Sequence, residues 1–144
     1  MNIRNSIMKA WSWRVASVYE VIELNRFGNV IFTDHDGAYW RLIPEELNCE
    51  IIAPDKVCFD QLKRDDVFVS DWKMEAICAI AQNALGELPE GSSYCLKLPA
   101  VLGHSYTAEN MGIIRTEALI SFSGDLAERI KDLPDGTEVK LSVE

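Results

Sequence analysis

Three short runs rich in β-branched and aromatic residues, each closed by turn chemistry, constrain this chain more than any other feature. Val18-Tyr19-Glu20-Val21-Ile22-Glu23-Leu24 partly alternates, and Asn25-Arg26-Phe27-Gly28-Asn29 supplies residues suited to a reversal. Val30-Ile31-Phe32-Thr33 reads as the return strand. Asp34-His35-Asp36-Gly37 is a second turn, because Asp-Gly favours the positive φ of tight hairpins, and Tyr39 to Ile43 makes a third strand. Connections this short join antiparallel neighbours, since a parallel pair needs a crossover of a dozen or more residues.

The flanking segments predict helices and further strands. Ile3, Ile7, Ala10, Trp11 and Arg14 recur at helical spacing and mark one face of a short helix that needs a sheet to cover. Glu50 to Ala53 adds a short strand, and Pro54-Asp55 opens a helix with Phe59 and Leu62 facing inward. Ser70-Asp71 offers a cap to a helix whose stripe is Met74, Ile77, Ile80, Ala81, Ala84 and Leu85, ended by Gly86. Tyr94, Leu96 and Leu98 alternate with Cys95 and Lys97 as a half-buried strand. Thr116 caps a last helix bearing Leu119, Phe122, Leu126, Ile130 and Leu133, with Ser121, Ser123 and Gly124 keeping one side thin. A glycine there costs about 1 kcal/mol relative to alanine, so a close neighbour is expected. Pro134-Asp135-Gly136 turns the chain, and Val139, Leu141 and Val143 alternate as a closing strand. The expected fold class is α+β: an antiparallel sheet of the N-terminal meander plus the C-terminal strands near Tyr94 and Val139, packed with about four helices, in a single domain over residues 1–144.

At 144 residues, 48% hydrophobic and 26% charged, the chain can bury a core without disulfide or metal staples. Its apolar runs fall far short of the roughly 20 residues that span a bilayer, and no leader pattern opens it, so a cytoplasmic location is expected. Cys49, Cys58, Cys78 and Cys95 form no Cys-x-x-Cys pair and only two histidines accompany them, which argues for buried thiols and against zinc. The net charge of −9 is spread evenly: residues 1–50, 51–100 and 101–144 carry 7, 8 and 8 acidic groups against 5, 5 and 4 basic ones. Such a field repels nucleic acid and anionic membranes and attracts a basic protein.

Candidate chemistry fails on geometry. Asp34, Asp36 and Glu45 fall at positions one, three and twelve of a calcium loop, but Ala38 and Tyr39 stand where a side-chain oxygen and a glycine are required. No glycine-rich phosphate cradle occurs, and Cys95 with His104 lacks an orienting carboxylate. Tyr106-Thr107-Ala108-Glu109-Asn110 reads as a helix start capped by Thr107. Neither an enzyme nor a cofactor is expected. Trp13, about 200° around the first helix from Trp11, should be the more exposed of that pair.

One stretch has the character of a family signature. Leu98-Pro99-Ala100-Val101-Leu102-Gly103-His104-Ser105-Tyr106-Thr107-Ala108-Glu109-Asn110 is followed by Ser121-Phe122-Ser123-Gly124-Asp125 and by Ile130-Lys131-Asp132-Leu133-Pro134-Asp135-Gly136. Together with Trp11-Ser12-Trp13, Phe27-Gly28-Asn29-Val30 and Asp36 to Arg41, this region (94–144) resembles the C-terminal domain of the immunity proteins that bacteria carry against DNase effectors of type VI secretion. That domain also occurs in short stand-alone proteins, which this chain resembles in length. The resemblance implies an immunity or immunity-like protein that neutralises a secreted toxin by stoichiometric binding. A non-catalytic regulatory or scaffold protein with another partner is the alternative, and a small-molecule enzyme the third. Pro99, Gly103, Tyr106, Asn110, Gly124, Pro134 and Gly136 are expected to be structural, with Tyr106 buried and its hydroxyl paired, and Gly103 in a conformation closed to other residues. Partner contacts are expected on Asp34, Asp36, Glu45 and Glu46, presented together at one edge of the sheet, with Trp13 as a further contact.

Overall fold

The computed structural model describes residues 2–133. The turn at Pro134 to Gly136 and the strand expected at Val139 to Val143 lie outside the described residues. The fold class is α+β as expected. Helix α1 (Ile3–Ala10) precedes strands β1 (Glu20–Leu24), β2 (Val30–Thr33), β3 (Tyr39–Ile43) and β4 (Asn48–Ala53). Helices α2 (Lys56–Leu62), α3 (Asp66–Lys73) and α4 (Glu75–Leu85) follow, then β5 (Ser92–Leu96), β6 (Met111–Arg115) and α5 (Thr116–Ile130).

The meander forms as its turns dictate: β1 to β4 lie side by side in chain order, every pair antiparallel. Asn25 shapes the first turn by accepting the amides of Phe27 and Asn29 on Oδ1, both at 3.0 Å, while Gly28 takes the positive φ of 71°. Asp34 does the same at the second, accepting from Asp36 and Ala38, and Gly37 has φ 86°.

Both faces of the sheet are covered, which is why β2 is buried along its whole length. Val30, Phe32, Trp40, Leu42 and Cys49 meet α1 and α5 on one face. Ile31, Tyr39, Ile52 and Ala53 meet Phe59, Phe68 and Trp72 of α2 and α3 on the other. Burial of Ile3, Ile7, Ala10 and Trp11 matches the helical face read from the sequence. The close neighbour of Gly124 is α1: a Cβ there would stand 2.6 Å from the Ala10 carbonyl oxygen.

The strand near Tyr94 does not join the meander. It pairs with β6 in a separate two-stranded sheet, and Met111 to Arg115, where no strand was foreseen, supplies the partner. Ala108–Asn110 is a single 3₁₀ turn, not the start of a helix, and Thr107 makes no capping bond. A second core lies between this hairpin and α4, built from Cys78, Ala81, Tyr94, Leu96 and Met111 around Phe27, which the first turn of the meander inserts. The helical stripe expected over Met74 to Leu85 also divides. Asp65 caps α3, so Ser70 and Asp71 lie within a helix, and Met74 at φ 49° separates it from α4. Ile80 and Leu85 are exposed, and Cys78 and Ala81 carry the buried face. Thr116 does not cap α5; its hydroxyl lies 2.6 Å from that of Ser93 in the interior.

Gly124→Ala sets two effects against each other. Helix propensity gains about 1 kcal/mol, while overpacking against Ala10 costs roughly 1–3 kcal/mol. Because the obstacle is backbone and cannot rotate away, urea unfolding should show net destabilisation; a gain in stability would show that α1 and α5 do not cross here.

Candidate functional site

A cleft of about 540 Å³ opens between β3, the turn after it, α3 and the start of α4, with Arg41, Glu45, Glu46, Asp71, Met74 and Tyr106 among its walls. Its base is a chain of polar side chains. Arg41 follows the core residue Trp40 on β3 and therefore faces the opposite side of the sheet, where it is buried. A buried guanidinium must be paired, and two groups serve it. Asn29 Oδ1 accepts from Nε at 3.2 Å and from Nη2 at 2.9 Å, and Asp71 of α3 accepts from Nη1 at 2.5 Å. The guanidinium also lies 5.2 Å from the Trp72 ring centroid. Asn29 turns its amide the other way and donates to Glu45 Oε1 at 2.9 Å.

Glu45 occupies the short turn Pro44–Glu46, which ends at Leu47 with φ 50°. Only 5% of its surface is exposed. Burial dominates its ionisation and pushes the carboxyl up to about 7, against the weaker effects of its hydrogen bonds. Tyr106 stands over the same cleft, and its phenol is raised by burial and then by the negative charge of Glu45, Glu46 and Asp71.

The four acidic positions expected to share an edge do not. Asp34 and Asp36 sit at the β2–β3 turn, whereas Glu45 and Glu46 follow β3 at its other end. Asp34 is also committed internally, accepting from Trp40 Nε1 at 2.9 Å as well as from the turn amides. Burial acts to raise its carboxyl, but these bonds together hold it below the usual range. Asp36 and Glu46 are exposed, and Glu45 is not. Trp13 is half-buried: it stacks on Trp11 with centroids 5.5 Å apart, donates to the Ala10 carbonyl at 3.1 Å and has Lys131 Nζ 5.0 Å from its ring centroid. That arrangement is packing. From sequence Asn29 and Arg41 enter only as motif residues and Asp71 only as a helix cap, not as a site, although an arginine within Tyr39-Trp40-Arg41-Leu42-Ile43 marks a charge on a strand otherwise suited to the core.

The signature loop is organised by Asn110. Its Oδ1 accepts the Leu98 amide at 3.0 Å, and its Nδ2 donates to the carbonyls of Leu98 (2.9 Å) and Ser105 (3.0 Å). Pro99 is buried, and Gly103 adopts φ 91°, a left-handed conformation that other residues rarely take. Tyr106 departs from expectation: it is half-buried, 6.2 Å from Phe27 between ring centroids, because its ring forms a wall of the open cleft. The enclosed tyrosine is Tyr94, whose hydroxyl donates to the Gly86 carbonyl at 2.6 Å.

Among the described residues no cluster of three or more His, Cys, Asp or Glu is placed to hold a metal ion, and no helix is long and apolar enough to cross a membrane. Cys49, Cys78 and Cys95 are buried free thiols. Burial pushes Cys49 up to about 12, so it carries no thiolate at neutral pH.

Residues 57–127 match the family described as T6SS immunity protein Tdi1, C-terminal. The resemblance read from the signature loop is thereby confirmed over that segment. The Tdi1 match begins within α2 and ends within α5, so it contains the loop, α3, α4 and the β5–β6 hairpin, and the four-stranded sheet precedes it. The fold is similar to that in the crystal structure of Atu4351 from Agrobacterium tumefaciens, with a TM-score of 0.56 and 14% identity over 85% of this chain. This chain spans 64% of that protein's length. No curated protein matches the sequence.

The buried carboxyl sets a pH dependence with a definite sign. Glu45 titrates near 7 when folded against an ordinary 4.5, so its contribution is fully present below about pH 4.5 and is lost as the pH rises through 7. The difference amounts to roughly 3 kcal/mol. Between pH 5 and 8 the melting temperature of the wild type should fall relative to that of Glu45→Gln; parallel profiles would mean that Glu45 titrates as an ordinary surface carboxylate.

Proposed function

We propose that this chain is an immunity protein that neutralises a cognate toxin delivered by type VI secretion, that the toxin is a nuclease, and that inhibition is by stoichiometric binding in the cytoplasm without chemistry of its own. The match of residues 57–127 to the Tdi1 C-terminal family carries this reading. The net charge of −9 supports it, because a nuclease must present a basic surface to its phosphate substrate and an acidic inhibitor is drawn to that surface. Contact is assigned to the exposed acids at the cleft. Glu75 lies inside the matched segment and Glu46 lines the same cleft. Asp36, at the far turn, is a secondary contact that adds to long-range attraction.

Co-expression with the toxin encoded beside its gene should protect cells, and titration calorimetry on the purified pair should give one immunity protein per toxin. Reversing Glu46 and Glu75 to lysine should slow association several-fold at low salt with little change in thermal stability, while Asp36→Lys should have a smaller effect. Wild-type association rates in the double variant would move the interface elsewhere. If no neighbouring toxin exists and the chain protects against none, the immunity reading fails.

A further inference from the structure

Helix α3 differs from its neighbours in how it is held. It contributes no fully buried residue, whereas α2 buries Phe59 and α4 buries Cys78 and Ala81. A turn at Lys63 to Asp65 bounds it on one side and the left-handed Met74 on the other, so both ends are separated from the adjoining helices. Among the described residues its attachments are the partly buried rings of Phe68 and Trp72, the latter 5.2 Å from the Arg41 guanidinium, a hydrogen bond from Asn25 Nδ2 to the Trp72 carbonyl at 2.9 Å, and the Arg41–Asp71 pair. That pair joins α3 to the buried polar chain of the sheet, and Ser70 and Asp71 form one wall of the cleft. Movement of α3 therefore changes the width of the cleft mouth.

We infer that α3 is a strap over this cleft, latched by Arg41 and released when Glu45 loses its proton. Charge balance at the latch gives the direction. With Glu45 neutral, Arg41 faces Asp71 as its direct anionic partner. Ionisation adds a carboxylate, joined through Asn29 to the same guanidinium, which competes with Asp71 for it. Arg26 and Lys97 act on the neighbouring Cys78 and Cys95, but neither lines the cleft. Glu46 from the turn and Glu75 from the start of α4 line the cleft, Tyr106 faces it from the signature loop, and Cys78 of α4 and Cys95 of β5 lie within the electrostatic reach of Glu45. Among the described residues Arg41 is the one cation lining the cleft, so each added negative charge pushes Asp71 outward with α3 attached. The elevated carboxyl of Glu45 puts this transition near neutral pH. The coupling lies within the chain itself and needs no partner.

Hydrogen exchange of the α3 amides, corrected for intrinsic rates, tests it on the isolated full-length protein. Between pH 6 and 8 the wild-type protection of Val67 to Lys73 should fall by about fivefold or more beyond the loss in β2 and β3, which follow global stability; fivefold is the range of ordinary coupling between sites. Glu45→Gln should keep α3 protected across the range. Asp71→Asn changes a side chain that is 68% exposed and should fold regardless; its α3 should exchange at the faster rate even at pH 6. Protection that is independent of pH in the wild type, or that changes equally in Glu45→Gln, would overturn the switch. Protection in Asp71→Asn equal to the wild type at pH 6 would overturn the latch.

Discussion

Five residues at the first turn of the meander, Asn25 to Asn29, hold the two halves of this structure in one arrangement. The Arg26 carbonyl accepts the Tyr94 amide at 2.8 Å, which ties the β5–β6 hairpin to the four-stranded sheet. Phe27, with no exposed surface, is the apolar plug of the second core. Gly28 lets the turn lie against α5, where a Cβ would come within 2.6 Å of Leu119 and 3.3 Å of Ser93. Asn25 closes the turn on itself and reaches α3 through the Trp72 carbonyl. Asn29 anchors Arg41 and Glu45. The bonds between uncharged groups contribute about 0.5–1.5 kcal/mol net each and those to the Arg41 guanidinium about 1.5–3 kcal/mol, and their breakage would leave buried polar groups unpaired, at a cost of roughly 1–3 kcal/mol each. Because they converge on one short loop, they are lost together.

The cleft follows from that convergence. A guanidinium and a carboxyl are buried on the face of the sheet away from α1, and the amide of Asn29 can serve both only by giving its oxygen to Arg41 and its nitrogen to Glu45. The arrangement leaves Arg41 with a spare donor, and Asp71 of α3 takes it. A charged group thus sits where apolar packing would have been simpler, in keeping with buried polar networks that specify one arrangement at some expense of stability. Within the segment matched by the Tdi1 family, α2 and α3 pack onto this face while α5 joins α1 on the other, so the sheet positions the walls of the cleft although it lies outside the matched residues.

How much of this was legible depended on whether the decisive partners were local. Asn25 and Asp34 fix their turns through amides two and four residues away, Asp55 caps α2 three residues on, and Gly86 closes α4, so these features could be read from spacing alone. The break between α3 and α4 could not, because Met74 adopts a left-handed conformation that normally announces itself as glycine or asparagine. Strand β6 was hidden because Asn110 spends its side chain on Leu98, twelve residues back, and the segment looked like a capped helix. The separation of β5 from the meander and the burial of Glu45 rest on Arg26 and Asn29, partners that no periodicity connects to them. The loop motif was informative about kinship because it is sequence-local, while the polar chain beneath the cleft is assembled from four separate segments.

The central claim, that one turn couples the sheet to the Tdi1-like half, is tested most directly by site-resolved hydrogen exchange on Phe27→Ala under native conditions. Truncation of this buried ring should cost roughly 3–5 kcal/mol. The account predicts that amides of β2 and β3 and those of β5 and α4 lose protection by the same factor, because the turn belongs to both. Loss confined to β5, β6 and α4, with β2 and β3 at wild-type protection, would contradict it and make the two halves independent.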